Sequence, residues 1–318
     1  MTAPQHTPLT VAAVDCGTNS IRLLITRRDD DGSLTEVTRE NTIVRLGQGV
    51  DETGRFNPEA IERTRQALAA YTERMRAEGV QRVRMVATSA TRDASNREDF
   101  FDMTRDLLGQ IQPGAQAEVI SGEEEAHLSF RGATADIDPT RGPFCVIDLG
   151  GGSTEFVMDQ GARSTQMGCV RITERFMRTD PPTAQETESA RAYIRERIAE
   201  AAEAVPFAQA RTFVGCAGTF TTLSALVQDL DSYDPERIQM SEIPFDRMRQ
   251  VTKDLRARTA SQRLEYGPMH PGRADVIGSG STVVEEMMDA FEQEAGASSF
   301  IISEKDILDG IVSGLLDA

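Results

Sequence analysis

Tryptophan is absent from the 318 residues, and lysine nearly so: of 34 basic side chains only Lys253 and Lys305 are lysines, so almost all positive charge is arginine. Cysteine is sparse and scattered. Cys16, Cys145, Cys169 and Cys216 form no CxxC pair and no metal-site spacing, which excludes a zinc module and reads as reduced, partly buried thiols. No stretch approaches the about 18 uninterrupted apolar residues of a membrane span. Met1 to Pro8 has neither a basic flank nor an apolar run, so it does not read as a secretory signal. Together these features predict a cytoplasmic protein with no membrane partner. Basic patches are equally scarce: 34 basic against 51 acidic residues give a net charge of −17, which argues against nonspecific nucleic-acid binding. Neither G-x-x-x-x-G-K-[ST] nor a strand followed by G-x-G-x-x-G occurs, so Walker and Rossmann sites are excluded.

An apolar fraction of 39% with 27% charged residues excludes wholesale disorder. The length suits one large or two ordinary domains. Charge is screened within about 8 Å at physiological salt, so an acidic chain can still bind a polyanion if its site supplies backbone N–H groups, a divalent cation or a few placed arginines.

Short β-rich runs at Leu9 to Asp15, Ser20 to Thr26 and Leu34 to Thr42 read as strands joined by tight turns. Asn57-Pro58 caps a helix that runs to Gly79. A buried strand at Val83 to Ala87 precedes a capping box, Ser95-x-x-Glu98, for a helix stopping near Gly109. Further strands are expected at Glu118 to Ile120, Phe144 to Asp148, Thr154 to Met158, Phe213-Val214 and Ser298 to Ile302. Helices are expected after the boxes Ser121-x-x-Glu124 and Thr183-x-x-Glu186, after Thr219, and over Phe245 to Arg256, Asp275 to Glu294 and Lys305 to Leu316. The alternation is α/β throughout.

One repeat stands out. Val14-Asp15-Cys16-Gly17-Thr18-Asn19-Ser20 recurs 133 positions later as Ile147-Asp148-Leu149-Gly150-Gly151-Gly152-Ser153. D-x-G is a common turn, but the matching apolar flanks favour a duplication, with two related domains facing one cleft.

Glycine lets backbone N–H groups approach an anion, and successive N–H groups form a concave nest. Gly17, Thr18, Asn19 and Ser20 make one candidate phosphate cradle. Gly150, Gly151, Gly152, Ser153 and Thr154 make a second. A third is Gly215 to Thr219, with Gly218 and Thr219 at a helix N-terminus that favours anions. Asp15 accompanies the first cradle, and Asp148 and Glu155 the second. Carboxylates repel a phosphate unless a hard cation intervenes, and Mg²⁺ typically binds through one or two carboxylates plus phosphate oxygens. Asp15 and Asp148 could instead close Asx-turns, a reading weakened by their duplication. Arg92, on the polar turn after Ala87, can either meet a phosphate bidentately or face solvent. In the triplet Glu123-Glu124-Glu125, Glu124 suits the capping box and Glu123 the helix dipole. Glu125, about 100° further round, is the carboxylate left for chemistry. His127 lacks a partner at metal-site spacing and reads as structural.

These stretches, with Ala87-Thr88-Ser89-Ala90-Thr91-Arg92, Ile120-Ser121-Gly122-Glu123-Glu124-Glu125-Ala126, Gly168-Cys169-Val170-Arg171, Gly215-Cys216-Ala217-Gly218-Thr219 and Pro271-Gly272-Arg273-Ala274-Asp275, resemble the exopolyphosphatase / guanosine-pentaphosphate phosphohydrolase family of the actin-like ATPase superfamily. The resemblance implies two actin-like (ribonuclease H-like) domains: residues 1–124, with a C-terminal helix at about 303–318 packing back on them, and residues 125–302. It implies metal-dependent release of orthophosphate from the end of inorganic polyphosphate, or, as the alternative, removal of the 5′ γ-phosphate of pppGpp. Glu125 would be the base. Asp148 and Glu155 would stand at an Mg²⁺ (or Mn²⁺) ion or the attacking water, with Asp15 as a further metal-side carboxylate and Arg92 as a phosphate contact. Long members add an HD-type domain that this sequence lacks, so shorter polyphosphate or a nucleotide is the expected substrate. Dimerisation through an apolar helix face is compatible with the chain. A small-molecule kinase and a weakly active polyphosphate or alarmone sensor are the rival classes.

Overall fold

Strand β1 (Leu9–Cys16) is apolar from Val11 to Val14, and those side chains are wholly buried. A strand buried on both faces belongs in the middle of a sheet. The computed structural model, which describes residues 8–317, places it there. The reading of Met1 to Pro8 as no signal sequence lies, apart from Pro8, outside the described residues.

The chain divides into two units, one formed by residues up to Ser121 and from Ile307 onward, the other by Gly122–Asp306. In the first, β1 lies between β2 (Ser20–Arg28) and β4 (Arg82–Ala87), with β3 (Leu34–Ile43) and β5 (Ala117–Val119) at the edges, in the order β3-β2-β1-β4-β5. The β1–β2–β3 meander is antiparallel, whereas β1, β4 and β5 run parallel. Helix Pro58–Ala77 is capped by Asn57, whose side chain accepts from the Glu59 N–H. It inserts Leu68, Tyr71 and Met75 into the core and gives way to Gly79 at φ +64°. Helix Ile307–Asp317 follows the last strand of the second unit but belongs to the first. Arg28 Nη1 donates to the Leu316 carbonyl at 2.9 Å, and Arg39 pairs with Asp309 at 2.8 Å.

In the second unit β6 (Phe144–Leu149), β7 (Thr154–Met158), β8 (Gly161–Thr165), β9 (Thr212–Cys216), β10 (Ser241–Pro244) and β11 (Ser299–Ile302) form a sheet ordered β10-β11-β9-β6-β7-β8. Leaving out the added edge strand β10, the order β8-β7-β6-β9-β11 reproduces β3-β2-β1-β4-β5, with the same directions. The short sequence repeat is thus a repeat of topology. One sheet face carries an aromatic core in which Phe213 stacks on Phe291 at 4.2 Å. Helix Ile277–Ala295 crosses that core. Its buried Glu285 and Glu286 are tolerated because Arg191, Arg195 and Arg256 pair with them. The other face receives helix Gly122–Ala133, whose Ala126 and Ala133 meet Val146, Val157 and Val214.

The box Thr183-x-x-Glu186 forms as expected at the start of helix Ala184–Ala202. The box at Ser95 does not. The Ser95 N–H and hydroxyl both bond the Gly54 carbonyl at 2.9 Å, and helix Glu98–Leu108 begins instead at Arg97 without a side-chain cap. The polar turn after Ala87 closes into a short helix, Ser89–Asp93. Strand β8 and helix Cys169–Phe176 have no counterpart among the sequence expectations, and both bear on the site. All four cysteines are buried, and none forms a disulfide. No described helix is long and apolar enough to cross a membrane.

Candidate active site

Strand β6 delivers Asp148 and β7 delivers Glu155 as directly opposed partners across an antiparallel pair. Side chains alternate along a strand, so Asp148 shares a face with Val146, and Glu155 with Val157. That is the face covered by helix Gly122–Ala133, which adds Glu125. The three carboxylates are 7%, 1% and 8% exposed for Asp148, Glu155 and Glu125 respectively. Burial, then the negative charges of Glu125 and Asp148, push the Glu155 carboxyl well above the usual range, while hydroxyls of Ser164 and Ser153 partly offset this. The charges of Glu125 and Asp148 both act on Glu155, which makes the three acids one electrostatic group. Ser129 donates to Asp148 Oδ2 at 2.6 Å, and Ser164 on β8 donates to Glu155 Oε1 at 2.7 Å. Gly122 allows the helix to start directly on β8: a Cβ there would fall 2.3 Å from Ser164 Cβ.

The turn between β6 and β7 is held from behind. The Gly150 carbonyl accepts from the Cys169 N–H at 3.0 Å, and that of Gly151 from Val170 at 2.9 Å and Arg171 at 3.1 Å. The Gly152 carbonyl accepts from Gly168 at 3.2 Å and from Arg171 Nε at 2.7 Å. Helix Cys169–Phe176 therefore satisfies its own first N–H groups on the turn. In a trans peptide the N–H points opposite to the carbonyl. The N–H groups of Gly151, Gly152 and Ser153 are consequently aimed away from the helix as a row of three donors, the geometry of an anion nest. None of Gly150, Gly151 and Gly152 adopts positive φ, so close approach, not handedness, is what calls for glycine here. The tightest fit is on the other side, where a Cβ on Gly168 would lie 2.3 Å from the Gly151 carbonyl carbon.

The first cradle is built alike. Gly17 N–H bonds the Ser20 carbonyl at 2.9 Å, as Gly150 bonds Ser153 at 3.1 Å. The Thr18 and Asn19 carbonyls are drawn back by Gly47, Val44 and Arg45, which turns the Asn19 and Ser20 N–H groups the other way. Its carboxylate differs in surroundings: Arg22 donates to Asp15 Oδ2 from Nη2 at 2.6 Å and from Nε at 3.0 Å. Arg92 is half-buried and donates to the Ile120 carbonyl at 3.0 Å, so it is not a freely solvated loop residue. Gly218 and Thr219 stand in the first turn of helix Ala217–Val227, with Ala217 at φ +65°. The Arg273 guanidinium lies over Gly218, where a Cβ would come within 2.3 Å of Nη2, and donates to Thr222 Oγ1 at 2.6 Å. His127 is exposed and its Nδ1 bonds the Glu123 carbonyl at 2.7 Å, a structural contact.

The structure therefore brings Glu125, Asp148, Glu155 and the Gly150 to Thr154 turn together within the second unit. Sequence reasoning passed over Ser129, Ser164, the Arg171 side chain and the packing of Arg273 on Gly218. Ser129 had one available signal, its place four residues after Glu125 on the same helix face. Among the described residues no group of three or more His, Cys, Asp and Glu side chains is arranged as a complete metal cage. Two neighbouring carboxylates beside an anion nest instead match the way Mg²⁺ shares its coordination with phosphate and water.

Two α/β units of one five-strand order, each with an Asp-x-Gly hairpin whose turn presents N–H groups, define the actin-like class of phosphate-handling folds. The comparisons with known proteins narrow this class. A model of the Ppx/GppA phosphatase family matches residues 24–315, and the chain belongs to that family. It is an enzyme of the phosphoanhydride-hydrolase class. Exopolyphosphatase 2 of Mycobacterium tuberculosis is 53% identical over 312 residues, 96% of this chain and 98% of that protein. A crystal structure of an exopolyphosphatase-like protein superposes with a TM-score of 0.90 at 40% identity, covering 96% of this chain and 98% of the other. The Aquifex aeolicus PPX-GPPA enzyme superposes with a TM-score of 0.78 at 29% identity, over 97% of this chain and 100% of its own.

Proposed function

We propose that this chain is an exopolyphosphatase, releasing orthophosphate from the end of inorganic polyphosphate with the help of a divalent cation. The observation that carries the reading is the buried acid group Glu125, Asp148 and Glu155 beside a row of backbone donors. The near full-length similarity to a protein named exopolyphosphatase supports polyphosphate as the substrate.

The N–H groups of Gly151, Gly152 and Ser153 hold the terminal phosphoryl oxygens and set the phosphorus in one position. Asp148 and Glu155 are the carboxylates that would hold Mg²⁺ or Mn²⁺, whose positive charge would offset the repulsion between them. The bound ion would supply charge neutralisation for the phosphoryl group. Asp15 is charge-matched by Arg22 within its own hairpin, so this reading assigns the cation to the second hairpin. Glu125 orients a water in line with the scissile bond and takes its proton. Positioning and charge neutralisation carry most of such a rate, because phosphoryl transfer asks little covalent chemistry of the protein.

The test is orthophosphate release from short polyphosphate, long polyphosphate and pppGpp, side by side, with Mg²⁺, with Mn²⁺ and with chelator. Turnover of polyphosphate that vanishes with chelator is expected, short chains being preferred. Faster turnover of pppGpp would transfer the assignment to the nucleotide, and tight binding of polyphosphate without release would make the chain a sensor.

A further inference from the structure

Helix Gly122–Ala133 turns Ala126 and Ala133 onto an apolar sheet face made by Val146, Val157 and Val214. Ser129 is wholly buried in the same helix, and its polar group is out of keeping with those neighbours. Alanine would suit the position better on helix propensity and would bury no hydroxyl. The hydroxyl is not idle: it donates to Oδ2 of Asp148 at 2.6 Å. Ser129 also lies four residues after Glu125, so the two side chains rise from one face of one helix, a turn apart. Glu155 is served differently, by Ser164 on its neighbouring strand.

We propose that Ser129 is a positioning residue that ties the Asp148 carboxylate to the helix bearing Glu125, so that the cation-holding acid and the water-activating acid keep one spacing. The inference rests on the roles given above to Asp148 and Glu125, and it adds a residue that touches neither phosphate nor water. A carboxylate on a strand end can swing about its Cβ–Cγ bond. A rigid hydroxyl donor from an adjacent helix removes that freedom, as outer partners of metal-holding side chains do.

The experiment compares wild type with Ser129→Ala, Ser129→Thr, Asp148→Asn and the double variant Ser129→Ala/Asp148→Asn. Three quantities are read: Mn²⁺ binding to the protein alone by electron paramagnetic resonance, kcat and KM for polyphosphate, and the thermal midpoint. Ser129→Ala is expected to weaken Mn²⁺ binding about tenfold and to lower kcat by a similar factor, leaving KM nearly unchanged. Ser129→Thr, which keeps the hydroxyl, is expected to recover most of both. On the Asp148→Asn background Ser129→Ala should change Mn²⁺ binding no further, because it acts through that carboxylate. Wild-type Mn²⁺ binding and kcat in Ser129→Ala, with both lost in Asp148→Asn, would overturn this inference and leave the site assignment standing. An equal loss on both backgrounds would show a packing role and overturn it as well. Full activity in Asp148→Asn would strike the underlying assignment itself.

Discussion

The two hairpins of this protein share a fold but not a charge. Asp15 stands opposite Arg22 on β1 and β2, and Asp148 stands opposite Glu155 on β6 and β7. The offset is the same for both members, 148 − 15 = 133 and 155 − 22 = 133, so Arg22 and Glu155 occupy one position of the duplicated unit. In the first hairpin the carboxylate meets a guanidinium at 2.6 Å, and the pair is internally neutral. In the second, two acids face each other and a third, Glu125, joins from the covering helix, leaving negative charge that repels within a buried setting. The hairpins repeat one backbone, and on the function proposed above that one opposed residue is what assigns the cation to the second of them.

Removing the third acid is the largest expected perturbation. Glu125→Gln should lower kcat by about 10²–10⁴-fold with the fold intact, the usual loss for a general base. Undiminished turnover in a well-folded variant would show that the extra acid of the second hairpin is not its functional distinction. Gly168→Ala tests the nest without touching a charge. The added methyl would press on the Gly151–Gly152 peptide, and displacing the donors by even about 1 Å can cost on the order of a hundredfold in rate. Polyphosphate hydrolysis at the wild-type rate would indicate that the turn does not hold the substrate.

The next test sharpens the contrast from the other side. Arg22→Ala should destabilise the first unit by about 3 kcal/mol, because it withdraws the guanidinium from a largely buried carboxylate. Urea unfolding measures this, and an unchanged midpoint would mean that Asp15 needs no counter-charge. The smallest effect is in pH. Glu155 binds its proton more tightly folded than unfolded, so the folded protein loses stability as the pH rises above the ordinary glutamate range, until the buried group ionises. Below that range no loss is expected. Thermal unfolding in chelator over about pH 5 to 8 should show the decline in wild type and a flatter profile in Glu155→Gln. Identical profiles would contradict the burial and repulsion assigned to Glu155.

Much of this was legible in the sequence because its signals are local. An Asn-Pro start and a Gly stop define helix Pro58–Ala77, a capping box defines helix Ala184–Ala202, and the repeated Asp-x-Gly turns mark both hairpins. What stayed hidden depends on partners distant in the chain. Gly161–Thr165 has little strand propensity of its own and exists as β8 because β7 offers it a ladder. Helix Cys169–Phe176 starts without a side-chain cap because the Gly150 to Gly152 carbonyls take that part. Ser95 forms no capping box since the Gly54 carbonyl claims it. Arg22 and Glu155 were both visible as residues, but their equivalence has meaning only once strand register is known.

The most direct test of the account is a crystal structure with Mn²⁺ and orthophosphate, using the anomalous signal to locate the metal. Mn²⁺ is expected at the Asp148 and Glu155 carboxylates, and phosphate oxygens on the N–H groups of Gly151, Gly152 and Ser153. A metal at Asp15, with Arg22 displaced and Asp148 and Glu155 bare, would contradict it.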